Sequence, residues 1–90
     1  MQLIWREKAV ADLERIDAWL SQFESADPTT VRHRIVDAAD RLERLGDIGR
    51  PGKVEGFREL SVRNAPYLIV YKVLPEAIEI LAVYHTAQNR

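Results

Sequence analysis

"GRPGKVEGFREL", residues 49–60, is the stretch at which this chain changes period. Before it, apolar residues recur at steps of three and four; after it, they alternate or run on without interruption. Three of the four glycines fall inside it, around Arg50 and Lys53. A phosphate-binding loop needs Lys followed by Ser or Thr and a helix whose N-terminus faces the anion. Lys53 is instead followed by Val54, and a strand-like run begins at Phe57. A dinucleotide fingerprint fails too, because no strand leads in and no helix leads out. The stretch therefore reads as the hinge between a helical half and a strand half, with glycines easing the turn.

Working back from the hinge, Val31, Ile35, Ala38, Leu42 and Leu45 form one helical stripe. Asp27-Pro28 supplies its start, with Asp27 as N-cap and Pro28 in the first turn, and Gly46 supplies its end. An earlier stripe runs through Ala9, Leu13, Ile16, Leu20 and Phe23, widened by Trp19, and predicts a helix from Glu7 to about Phe23. Gln2–Trp5 reads as a short strand. The brief gap between the helices predicts an antiparallel hairpin. Working forward, Phe57–Val62, Tyr67–Leu74 and Ile78–Tyr84 are rich in β-branched and aromatic residues. Arg63-Asn64-Ala65-Pro66 and Pro75-Glu76 supply turns, so the three strands are expected as an antiparallel meander. The runs YLIVYKV and IEILAV are apolar on both faces, which predicts that neither face of the sheet is fully wet. The expected architecture is α+β, in the order β-α-α-β-β-β: an N-terminal helical hairpin packed on an antiparallel sheet, in one domain spanning 1–90.

Ninety residues, 47% of them apolar and 30% charged, fit one ordinary globular core. No apolar run is long enough for a membrane span, and early charges at Arg6, Glu7 and Lys8 break any signal-peptide pattern. With no cysteine, a disulfide framework or thiolate metal site is ruled out, and a cytoplasmic location is the simplest expectation. Residues 1–49 carry seven Lys/Arg against ten Asp/Glu; residues 50–90 carry six against four. The second half is thus only mildly basic, which argues against direct nucleic-acid binding.

Few residues invite chemistry. His33 and His85 lie in different elements with no carboxylate or histidine at ligand spacing, so no metal is expected, and no cofactor motif is present. His85 ends the last strand within VYHTAQ, residues 83–88; it reads either as an acid–base group at the sheet rim or as a strand-end residue making one hydrogen bond. Arg58 shares a strand face with Leu60 and Val62. It reads as an anion contact or as a brace paired with a helix carboxylate such as Asp37, Asp40 or Glu43.

Taken in order, Trp5, Ala9–Ile16, Gly49-Arg50, Gly56-Phe57-Arg58-Glu59-Leu60, Tyr67–Val73 and Ile80–His85 resemble the RelE/ParE toxin superfamily of type II toxin–antitoxin systems along essentially the whole chain. The resemblance implies a helical hairpin on an antiparallel sheet, and it divides two mechanisms. RelE-like members cleave ribosome-bound mRNA, which requires cations on the scissile phosphate and an acid–base group. Where that branch typically places lysines this chain has Glu59 and Ser61, and where it places an arginine this chain has Leu68; only His85 and Arg63 remain as catalytic candidates. ParE-like members inhibit DNA gyrase by protein binding and need no catalytic set. The VYHTAQ ending resembles that branch, although Asn89-Arg90 stands where a tryptophan is often found.

Both branches imply a cognate antitoxin and a toxin–antitoxin hetero-oligomer, formed as an otherwise disordered segment folds onto the toxin. The resemblance points to Arg50, Lys53, Arg58, Arg63, Tyr84, His85 and Gln88 as antitoxin- or target-binding residues. It implies growth inhibition through gyrase, with an RNA-cleaving toxin as the alternative and a non-toxic partner of an antitoxin as the third reading.

Overall fold

The computed structural model describes residues 2–87. Its elements are β1 (Gln2–Trp5), α1 (Glu7–Leu20), α2 (Pro28–Leu45), β2 (Arg50–Pro51), β3 (Arg58–Ser61), β4 (Tyr67–Val73) and β5 (Ala77–His85). The expected α+β class holds, with two helices on one sheet.

The helix boundaries follow local chemistry. Asp27 caps α2, its Oδ1 accepting from the amides of Thr29 at 3.1 Å and Thr30 at 3.4 Å, while Oδ2 accepts from the Thr30 hydroxyl at 2.6 Å. Those bonds hold the Asp27 carboxyl below the usual range, the Thr30 hydroxyl contributing most. Gly46 ends α2 at φ +84, a left-handed conformation that favours glycine. α1 stops at Leu20, a turn earlier than its stripe predicts, so Phe23 lies beyond it. Phe23 stacks edge-on with Trp19, centroids 5.1 Å apart.

The sheet has the order β1-β5-β4-β3-β2. The meander β3-β4-β5 is antiparallel as expected. Two features differ from the sequence reading. β1 joins the last strand in parallel, Leu3 opposite Ile78 and Trp5 opposite Ile80, so the sheet is mixed. The hinge contributes its own two-residue strand, Arg50 opposite Glu59 and Pro51 opposite Arg58, so it forms a sheet edge as well as a passage. Proline on that edge limits further strand pairing.

The core lies between α2 and the sheet. Ile35, Ala38, Ala39 and Leu42 meet Leu60, Ile69, Tyr71, Ile78 and Ile80, all buried. Side chains the size of Ile35 or Leu42 contribute about 1.5–3 kcal/mol each when fully buried. A bulge explains the unbroken apolar run in β5. Val70 pairs with Ala82 but Tyr71 pairs with Ile80, so Leu81 is inserted and the facing parity flips. Ile78, Ile80 and Val83 can then all join the core. On the opposite face the cross-strand rows Glu59–Val70–Ala82 and Ser61–Leu68–Tyr84 bury Val70, Leu68 and Ala82 too.

Two polar contacts tie distant parts together. Tyr71, fully buried, donates its hydroxyl to Asp47 and accepts from the Gly49 amide at 2.8 Å. Arg58 adds Nε to Asp47 at 3.1 Å and Nη2 to the Gly49 carbonyl at 2.8 Å. The Tyr71 bond, reinforced by Arg58, holds the Asp47 carboxyl below its usual range; burial first, then Asp47, pushes the Tyr71 phenol up. The second contact is made by Asp12, 2% exposed on α1, whose Oδ2 accepts from the Val83 amide at 2.9 Å. Lys8 donates to the same carboxylate at 2.9 Å, and Arg15 pairs with its other oxygen.

At Gly49 the constraint is space. A Cβ there would overlap the Glu59 carbonyl and the Tyr71 hydroxyl. Gly49→Ala should therefore lower unfolding free energy by about 2–3 kcal/mol, as overpacking of a rigid site does; urea denaturation curves within 0.5 kcal/mol of wild type would contradict this packing. Asp12→Ala, which strands the Val83 amide, should cost about 1–3 kcal/mol. Asp12→Asn, which keeps an acceptor, should cost clearly less in the same assay, and equal losses would show that charge rather than the amide bond dominates.

Candidate partner-binding surface

The residues singled out in the sequence do not form one cluster. Arg50 lies on the edge strand β2, its side chain over the sheet face that points away from the helices. Nη2 stands 3.4 Å from Glu59, and Nη1 donates to the Ser61 hydroxyl at 3.2 Å. Glu59 itself is only 6% exposed. Lys53 is exposed in the β2–β3 loop, and Arg63 is exposed in the β3–β4 turn. Arg58 is a brace, but its partner is Asp47 just past α2; the structure gives it no bond to Asp37, Asp40 or Glu43, which point to solvent. Gln88 lies outside the described residues.

Tyr84 and His85 close β5. The neighbouring turn brings Arg63 to the same end of the sheet, because Tyr67 pairs with His85 and the Thr86 amide donates to the Pro66 carbonyl at 2.8 Å. His85 Nδ1 accepts from the Ala87 amide at 3.1 Å, and its ring meets Tyr67 edge-on at 5.4 Å. His33 is exposed on α2. Among the described residues no three His, Cys, Asp or Glu side chains gather closely enough to hold a metal ion. Nor is any helix among them long and apolar enough to cross a membrane.

Tyr84 and His85 do share a concavity, and with residues the sequence reading assigned to the core or left aside. An open groove of about 870 Å³ runs between the second half of α1 and the end of β5. Ile16, Trp19 and Gln22 form one wall; Tyr67, Val83 and His85 form the other. Asp12 and Arg15 sit at its edge, and Lys8 lies 4.5 Å from the Tyr84 ring centroid. Burial in this region pushes the Tyr67 phenol above its ordinary range. Trp19 is 57% exposed and Phe23 45%, so the end of the predicted core stripe faces outward. The spacing of Trp19 is that of a core residue. Its 57% exposure, inside α1, leaves no local trace in the sequence.

The fold and the residues match known proteins over nearly the full length. Residues 3–90 match the family model described as ParE toxin of type II toxin-antitoxin system, parDE. The chain is 33% identical over 85 residues to the putative toxin Y4kP of Sinorhizobium fredii, covering 94% of this chain and 88% of that one. It is 32% identical over 87 residues to toxin RelE2 of Caulobacter vibrioides, covering 97% of each. In three dimensions it resembles a chain of the chromosomal ParDE TA system from P. aeruginosa, with a TM-score of 0.86, 27% identity and coverage of 94% and 95%. The YoeB dimer of Staphylococcus aureus shares the fold at a TM-score of 0.63 and 15% identity, over 94% of this chain and 97% of that one. On a family match that spans nearly every residue, this chain belongs to the ParE toxin family of type II toxin–antitoxin systems.

Proposed function

We propose that this chain inhibits DNA gyrase by protein binding and is neutralised by a cognate antitoxin in a hetero-oligomer. The observation that carries the reading is the character of the sheet face turned away from the helices. Phosphoryl chemistry needs several cations converging on one phosphate. That face instead presents the row Glu59–Val70–Ala82 beside Ser61–Leu68–Tyr84. Glu59 already neutralises Arg50, and Leu68 is buried. A paired carboxylate and buried aliphatic side chains offer a scissile phosphate no converging cations. The membership in a family described by toxin–antitoxin pairing supports the antitoxin, as does the likeness to a chain of a ParDE system.

A second reading has one observation in its favour. The Caulobacter relative bears the name RelE2, and Arg63 and His85 lie at one end of the sheet. In that reading His85 moves the proton and Arg63 faces the phosphate.

Purified chain added to a gyrase supercoiling assay should block supercoiling in a dose-dependent way, with recovery on adding the antitoxin. Unperturbed supercoiling at a large excess of chain over gyrase would contradict the proposal. Primer extension on ribosome-bound mRNA covers the second reading: cuts that vanish in His85→Ala would replace gyrase inhibition by RNA cleavage.

A further inference from the structure

The sheet ends on one side in β1, whose only neighbour in the sheet is β5. The Gln2 amide donates to the Glu76 carbonyl at 3.3 Å, and the Arg6 amide to the Ile80 carbonyl at 3.0 Å. Backbone groups alternate sides along a strand. Gln2, Ile4 and Arg6 therefore turn theirs toward β5, while Leu3 and Trp5 turn theirs outward. Among the described residues, nothing bonds the amides and carbonyls of Leu3 and Trp5 on that outer side.

Elsewhere the margin of the sheet is guarded. Pro51 stands on β2 at the opposite edge, and past the end of β1 Asp12 occupies the Val83 amide of β5. β1 carries none of the devices that keep an edge from pairing: Gln2–Trp5 holds no proline, no charge and no bulge. Leu3, Ile4 and Trp5 are each only partly buried, so their side chains still have apolar surface to cover.

The edge is complementary to itself. Set a second β1 antiparallel against it, about a two-fold axis at Ile4, and Leu3 faces Trp5 of the other copy on both sides of the axis. Each such pair exchanges both N–H···O bonds, so every outward group is used. Any other register that keeps outward groups opposite each other pushes Leu3 or Trp5 beyond the strand of the second copy. Ile4 meets Ile4 in the close pair between them, and Arg6 stands opposite Gln2, so no like charges meet. Arg6 already has Glu79 of its own chain at 3.6 Å. Within Gln2–Trp5 there is no charge to select a foreign acidic or basic strand, whereas a second copy sets apolar residues against apolar ones. α2 packs across β1, β5 and β4 together, which places its axis inward of the edge.

We propose that, whatever the chain inhibits, two copies of it pair edge to edge along β1, antiparallel about Ile4, and so join their sheets into one.

Sedimentation equilibrium of the purified chain at up to about 0.5 mM should show a reversible dimer, a range suited to a small interface. Ile4→Lys sets two like charges across the axis and should weaken the dimer by about tenfold or more. Ile4→Glu should do the same, and an equimolar mixture of the two variants should recover a one-to-one heterodimer. That recovery separates a lost interface from a lost fold. The chain has no cysteine, so Ile4→Cys introduces a single thiol. The Cα atoms of that close pair stand about 4.5 Å apart, within disulfide reach, and mild oxidation should give a covalent dimer. Val54→Cys, exposed in the β2–β3 loop, should not cross-link beyond its chance level. Trp19→Ala should leave the dimer intact. A wild-type chain that stays monomeric over this range would overturn the proposal. So would a dimer that both charged variants leave within twofold of wild type, or one that Trp19→Ala abolishes, since the contact would then lie elsewhere. Charged variants that fail to recover association on mixing, together with no cross-linking of Ile4→Cys, would overturn it as well.

Discussion

A single carboxylate joins the first helix to the last strand. Asp12 and Val83 are 71 positions apart, and their 2.9 Å bond falls where the parallel partner of β5 runs out. β1 pairs only as far as Ile80, while β5 continues to His85. Beyond that point the strand would show an unpaired amide inside the protein, a cost comparable to a lost hydrogen bond. Asp12 supplies the acceptor that a longer β1 would have supplied. The bond also fixes how closely α1 can lie against β5. The groove opens where that tether ends, between the later turns of α1 and the last residues of the strand. Lys8 and Arg15 offset the buried charge from the rim, where their exposed heads keep most of their hydration.

A second constraint fixes the other edge of the sheet. Tyr71 reaches through the core to Asp47 and Gly49, and Arg58 bridges the same two residues. The segment leaving α2 is thereby pinned against β3, close enough to pair Arg50 with Glu59. The glycine at 49 is needed because two oxygens stand where a Cβ would go. The far face of the sheet depends on this arrangement, since Arg50 lies over Glu59 and Ser61 only because its strand is held there.

Most elements of this fold were legible because each is announced locally. Asp27-Pro28 and Gly46 mark α2 at both ends, and the turn at Arg63–Pro66 contains Asn64 at φ +58. What was hidden depends on residues far apart in the chain. The pairing of the first strand with the last leaves no local trace, nor does the bulge at Leu81, which turns an apparently two-faced apolar run into a one-sided core contribution. Nothing beside Asp12 in the sequence announces its bond to Val83, and Gly49 reads only as part of the hinge. Arg58 was recognisable as a brace from its strand face, but its partner Asp47 lies in the connection rather than on the helix. The site was less legible than the fold. Tyr84 and His85 do line the groove, whereas Arg50, Lys53 and Arg63 lie on other parts of the sheet and its loops. Trp19 carries the spacing of a core residue yet lies exposed within α1, and its neighbours in sequence do not announce that.

These constraints converge on a small scaffold whose surfaces suit proteins better than phosphates: an aromatic groove rimmed by cations on one side, and on the other a sheet face whose carboxylate is already paired. On the proposed gyrase reading, the chain would stop growth by acting on a protein that manages DNA. Controlled expression in bacterial cells without the antitoxin, scored in parallel with a DNA-damage reporter and with pulse-labelled protein synthesis, tests it most directly. Induction of the damage response is expected before protein synthesis falls, with both suppressed by the antitoxin. An immediate arrest of protein synthesis with a silent damage reporter would contradict it.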